Sequence, residues 1–157
     1  MQYGVNFFKN LVKICSELKD ELNKIPKKLL QANKTEILPF SEVISLERDV
    51  FIEVCCQNVC LLTVCNNIFP SSNFSISKRF LEQFWNTFFA EKKKVIEKFT
   101  KNLKDLPIDK VKNNVSKFES ISQFIQTVYT QFIKEYNPNF QKKRGITYTP
   151  NFIIKIM

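Results

Sequence analysis

The sequence predicts an all-α fold, an irregular bundle of about five to six helices with a short extended segment and a partial helix at the C-terminus. Three observations predict it. Apolar residues make up 44% of the 157-residue chain, with sixteen Phe among them, enough for one domain to bury a core. Turn formers are scarce, with two Gly and six Pro, which suits long helices joined by few loops and argues against a many-stranded sheet. Along most of the chain the apolar residues recur with the three-and-four spacing of one helix face.

The first element covers residues 5–22, where Val5, Phe7, Phe8, Leu11, Val12, Ile14, Cys15, Leu18 and Leu22 alternate with Lys and Glu in that spacing. Pro26 interrupts it, a short helix with Leu29 and Leu30 follows, and Ala32 to Pro39 reads as a polar loop. Ser41 is placed to cap the next helix, with Glu42 in a first turn that favours carboxylates. From Val43 to Phe69 the run is apolar on nearly every side. A membrane span needs about 18 or more uninterrupted apolar residues. Glu53, Gln57, Asn58, Asn66 and Asn67 interrupt this run, which therefore reads as the buried central helix of the bundle, ended by Pro70 and the polar residues after it.

Ser75 or Ser77 opens another long helix, with Phe80, Leu81, Phe84, Trp85, Phe88, Phe89, Val95, Ile96, Phe99 and Leu103 on one wide stripe. Its opposite face holds Lys92, Lys93, Lys94, Lys98, Lys101 and Lys104, and its aromatic residues read as core and not as platforms for stacking bases. Pro107 opens a short helix to about Val115. Ser116 or Ser120 caps the last full helix, with Ser116 and Glu119 spaced as a capping box. Phe118, Ile121, Ile125, Val128, Tyr129, Phe132, Ile133 and Tyr136 then share one face.

The composition excludes several chemistries. The chain has no His, so a Ser–His–Asp or Cys–His site cannot form within it, and the commonest zinc ligand is missing. Cys15, Cys55, Cys56, Cys60 and Cys65 form no C-x-x-C pair and read as small buried hydrophobes, with no metal site. The opening residues lack a secretory pattern, and the expectation is a cytoplasmic protein in a reducing compartment with no membrane partner. The net charge of +9 is lopsided: residues 1–70 hold eight basic and eight acidic residues, residues 71–157 sixteen and seven. Such asymmetry points to a polyanionic neighbour, nucleic acid first, although a solvated lysine-rich helix face reads the same way.

The C-terminal stretch carries the most specific pattern. Tyr136, Asn137 and Pro138 break the last full helix, and Lys142, Lys143, Arg144 and Gly145 form a basic turn. Ile146 to Tyr148 alternate as in a short strand; Thr149 is a good N-cap and Pro150 a good first helical residue. This string, EYNPNFQKKRGITYTPNFIIKIM, resembles the lead-in to the methyltransferase domain of large adenine-specific DNA methyltransferases, the fused restriction–modification enzymes of type IIG and type ISP. The matching residues are Tyr136, Asn137 and Pro138, then Lys143, Arg144 and Gly145, then Tyr148, Thr149 and Pro150, followed by Phe152, Ile153 and Ile154. Thr147 stands where that family often has the first of two tyrosines.

The resemblance implies a helical connector over residues 1–140 and the severed start of an S-adenosylmethionine-dependent domain over 141–157. It places cofactor contact at Tyr148, Thr149 and Pro150, and a weak, electrostatic DNA contact is expected at Lys92, Lys93, Lys94, Lys142, Lys143 and Arg144. The family's Gly-rich cofactor loop and its Asn-Pro-Pro-Tyr block, which holds the flipped adenine, do not occur in the chain. The expectation is therefore a fragment inactive alone, binding no cofactor by itself, whose catalytic remainder could be a separate chain. The alternative is a self-contained basic module for nucleic acid or an acidic protein.

Overall fold

The computed structural model describes residues 5–37, 46–69, 75–112 and 121–136. Helices α1 (Val5–Asn23), α2 (Lys27–Ile37), α3 (Arg48–Ile68), α4 (Ser75–Phe89), α5 (Lys93–Lys104), α6 (Asp109–Lys112) and α7 (Ile121–Tyr136) account for nearly all of them, with no strand among the described residues. The all-α expectation holds for these residues. The expected extended segment and partial helix after residue 136 lie outside them, as do Ser41, Pro70, Ser116, Glu119 and Ser120.

The central element is α3, which packs against α1, α2, α4 and α5. Every residue from Val50 to Leu62 is buried, including Glu53, Gln57 and Asn58. By length and composition α3 is apolar enough to cross a membrane, yet most of it is enclosed by the other helices. Of the polar residues that interrupt it, Glu53, Gln57 and Asn58 are thus inside the bundle, whereas Asn66 and Asn67 are half-buried near its end. On α1, Phe7, Leu11, Cys15, Leu18 and Leu22 are fully buried, one face through five turns, laid against α3, α5 and α7. On α7, the residues from Ile125 to Ile133 that were expected in the core are buried, and Phe124 joins them. Its ring meets Phe69 edge-on at 5.5 Å, pinning α7 to the end of α3.

Four boundaries differ from the sequence expectation. Residues from Ala32 are helical to Ile37, not a loop. Leu30, Lys34 and Ile37 form the buried face of α2, and the lysine in its middle masks the apolar period. The helix expected from Val43 starts only at Arg48, since Leu46 is not helical and Glu47 is extended (φ −62°, ψ 155°). The single long helix of residues 75–103 is two helices: α4 ends at Phe89 and α5 begins at Lys93. A straight helix would place residues 91–93 on the stripe between Phe88–Phe89 and Val95–Ile96. Those positions hold Glu91, Lys92 and Lys93, so one turn of the stripe has nothing to bury, and the chain turns there. The amide of Lys92 donates to the Phe89 carbonyl at 2.9 Å across that turn. Similarly, Pro107 lies in a turn, and α6 starts two residues later at Asp109.

Arg48 fastens the start of α3 to the end of α1. Its guanidinium donates to Asn23 Oδ1 (3.0 Å), the Asn23 carbonyl (2.9 Å) and the Ile25 carbonyl (3.3 Å). It thereby supplies donors and a positive charge where a helix leaves carbonyls unsatisfied and its dipole is negative. Charge-assisted bonds of this kind contribute about 1.5–3 kcal/mol. Arg48→Ala is expected to lower unfolding free energy by about 2 kcal/mol in urea titrations, whereas Arg48→Lys, which cannot fork, recovers less than half. An unchanged midpoint in both variants would remove this latch from the account.

Candidate nucleic-acid interface

The lysines expected to meet a polyanion fall into two groups. Lys92, Lys93 and Lys94 form the α4–α5 turn and the first residues of α5; all three are exposed. Lys142, Lys143 and Arg144 lie outside the described residues, as do Tyr148, Thr149 and Pro150, so no geometry joins the two groups.

Around Lys92–Lys94 the helix start and the three lysines concentrate positive charge, offset in part by the neighbouring Glu91. Lys92 is the N-cap of α5 and its side chain makes no capping bond; the first turn of α5 holds no acid. Lysine is misplaced there energetically, because the free N–H groups of a helix start already carry about half a positive charge. Further along, Lys98, Lys101 and Lys104 are exposed opposite the buried Phe99 and Leu103. Lys94, Lys98 and Lys101 fall at i, i+4 and i+7, one row along the helix. Lys98 reaches Glu17 of α1 at 3.6 Å and lies over the Phe99 ring at 5.3 Å. Lys92, Lys93, Lys94, Lys101 and Lys104 make no ion pair among the described residues. A concavity of about 450 Å³ at the turn is bordered by Ala90, Glu91, Val95 and the three lysines.

The aromatic residues of α4 and α5 are committed elsewhere. Phe84 meets Trp85, Phe88 and Phe89 at centroid distances of 5.1, 5.5 and 5.8 Å, and Trp85 stacks on Phe99 at 6.5 Å. Leu29 is the exposed large hydrophobic residue among those described, and it lies on α2. The basic face therefore offers ammonium groups without a base-stacking partner. Its ammonium groups suit phosphate oxygens, and contacts of that kind carry no sequence information.

A second group of polar residues, which periodicity alone did not reveal, lies between α1, α3 and α7. Lys19 pairs with Glu53 at 2.8 Å, joining residues 34 apart in the chain. Beside them, the Cys15 thiol is hydrogen-bonded to Cys60, which together with burial holds it well above its ordinary pKa. Burial first, then neighbouring thiols, raises Cys56, and burial alone raises Cys55 and pushes Cys65 up to about 12. Desolvation, reinforced by the nearby Glu53 carboxylate, likewise raises Tyr136 at the end of α7. Nucleophilic chemistry needs an accessible thiolate. These thiols are neutral at physiological pH and enclosed, and Glu53 is held by Lys19, so the cluster ties three helices together without a reactive group. All five cysteines are free and buried, and no metal-holding group of three or more His, Cys, Asp or Glu occurs among the described residues.

No protein-family model, curated protein or solved structure matches the chain.

Proposed function

We propose that the chain is the helical connector of an adenine-specific DNA methyltransferase, without catalytic activity of its own, and that the lysines of α5 hold it against a nucleic-acid backbone. The observation that carries the DNA contact is the row of exposed lysines at Lys92, Lys93 and Lys94 and on the outer face of α5, without ion-pair partners among the described residues apart from Glu17 at Lys98. The surface is fixed by the burial of Phe99 and Leu103 on the opposite side of the same helix. Backbone contact of this kind supplies affinity that is independent of sequence and steeply dependent on salt. The family assignment is supported by the sequence pattern from Tyr136 to Ile154. In that reading Lys142, Lys143 and Arg144 extend the basic surface, and Tyr148, Thr149 and Pro150 contribute to an S-adenosylmethionine pocket completed by a catalytic part supplied elsewhere.

The test is binding of the full chain to a labelled duplex, followed by anisotropy between about 50 and 200 mM salt. Each phosphate contact contributes about −0.9 to the slope of log affinity against log salt. The triple variant Lys92→Gln, Lys93→Gln, Lys94→Gln is expected to flatten that slope by about 2–3 while circular dichroism stays unchanged. Affinity that does not respond to salt, or an unaltered slope in the triple variant, would defeat the DNA contact. Salt-dependent binding to an acidic peptide but not to the duplex would select the alternative partner.

A further inference from the structure

The groove between α2 and the start of α3 has a different chemistry from the α5 lysines. It is an open groove of about 560 Å³, within the range of about 300–1,000 Å³ typical of small-molecule sites. Leu30, Ala32 and the aliphatic stems of its lysines make its walls largely apolar. Four cationic residues line it, Lys27, Lys28, Lys34 and Arg48, and no carboxylate does so among the described lining residues.

Two of these cations are fixed, and neither forms an ion pair among the described residues. Lys34 is only 6% exposed. Its ammonium donates to the Leu46 carbonyl at 2.6 Å and lies 5.8 Å from the centre of the Phe51 ring. Both partners are neutral, and Lys34 forms no ion pair among the described residues. Arg48 is likewise held by carbonyls and an amide of residues 23 and 25, not by an acid. A buried charge is ordinarily paired, because its desolvation is costly. Among the described residues the wall of this apolar groove carries two positive charges with no ion-pair partner, and two exposed lysines stand at its rim, where α2 begins. The positive end of the α2 dipole adds to the same field.

We infer that this groove binds an amphipathic anion, a single phosphate or carboxylate carried on an apolar chain or ring. Lys27 and Lys28 contact the anionic head, Lys34 and Arg48 supply the standing positive potential, and Leu30 and Ala32 accommodate the apolar body. Hydrophilic anions gain nothing from the apolar wall, and neutral amphiphiles nothing from the cations, so both properties are needed. The inference does not depend on the proposed DNA contact, which uses other residues.

Isothermal titration of the full chain with decyl phosphate, kept below its micelle concentration, tests it. Saturable binding at one equivalent is expected, at least about tenfold tighter than to inorganic phosphate or to decanol. Lys28→Glu is expected to weaken it by about tenfold, and Ala32→Phe, which fills the groove from an exposed position, to abolish it with an unchanged melting temperature. Ala32→Glu serves in place of Ala32→Phe if that variant melts early. The triple α5 variant is expected to bind as the parent does. Vesicles with and without phosphatidic acid distinguish the source: capture lost with Ala32→Phe assigns the anion to a lipid headgroup, and binding confined to the soluble amphiphile assigns it to a free metabolite. Equal binding by Lys28→Glu and the Ala32 variants, or loss in the α5 variant, would overturn the site and leave non-specific attraction to a basic protein.

Discussion

Phe84→Ala is expected to lower the unfolding free energy by about 4 kcal/mol, within the range seen when large buried aromatics are truncated. Phe84 is fully buried, and its ring is the hub of the aromatic cluster: Phe80 lies at 6.3 Å, Trp85 at 5.1 Å, Phe88 at 5.5 Å and Phe89 at 5.8 Å. Removal costs the transfer free energy of the ring, the cavity left behind and two edge-to-face contacts, to Trp85 and Phe88. The cavity cannot close easily, because Phe88 and Phe89 precede the turn that sends α5 back against α1, α3 and α4. Domains of this size are stable by about 5–15 kcal/mol, so the loss is a large part of the total. Leu29→Ala, at an exposed position of α2, is expected to change stability by less than about 0.5 kcal/mol and serves as the control. Urea midpoints measure both. A Phe84→Ala chain within about 1 kcal/mol of the parent would mean that the aromatic cluster does not hold α4 in place.

The parts of the fold legible in the sequence are those where one physical signal acts alone. In α1 and α7 the apolar residues repeat at helical spacing between charged or amide side chains, and the faces they define are the buried ones. In α3 the absence of a polar face, together with enclosed Glu53, Gln57 and Asn58, marks the one helix surrounded by others. Elsewhere two signals compete. The stripe from Phe80 to Leu103 keeps its phase across Glu91–Lys93, so periodicity joins two helices that the missing apolar turn separates. Lys34 and Arg48 look like surface cations by composition, yet both point at carbonyls of neighbouring helix ends. No local pattern announces such long-range contacts, and the same holds for Lys19 with Glu53. For the candidate interface, the charge of Lys92–Lys94 is evident from the sequence. Their position at the positive end of a new helix is not, because it follows from the α4–α5 break.

The thiols of the core are expected to give the chain a steep alkaline limit. In the folded state Cys15, Cys55, Cys56 and Cys65 are all held above the ordinary thiol range, Cys65 at about 12, chiefly through burial and, for Cys15, through its bond to Cys60. In the unfolded chain they ionise near about 8.5. A raised pKa means that the fold favours the protonated thiol. The resulting stability is fully present below the unfolded pKa and is lost as pH rises towards the folded one, because only the unfolded chain can release the proton. Once the unfolded thiols have ionised, each buried thiol removes about 1.4 kcal/mol per pH unit. Four acting together would exhaust a stability of about 5–15 kcal/mol within two to three units. Urea titrations should therefore show a plateau from neutrality to about pH 8.5 and a steep fall above about pH 9. Lysine deprotonation begins only above about pH 10 and would weaken the Lys19–Glu53 pair in the same direction, so the two sources need to be separated. Cys55→Ala with Cys65→Ala separates them: it leaves every lysine in place, costs some packing at neutral pH, and should flatten the alkaline fall by about 2–3 kcal/mol per unit. A double variant whose stability falls as steeply as the parent's would show that Cys55 and Cys65 do not set the alkaline limit. The expected result identifies Cys15, Cys55, Cys56 and Cys65 as packing groups of the core whose burial also keeps them unreactive.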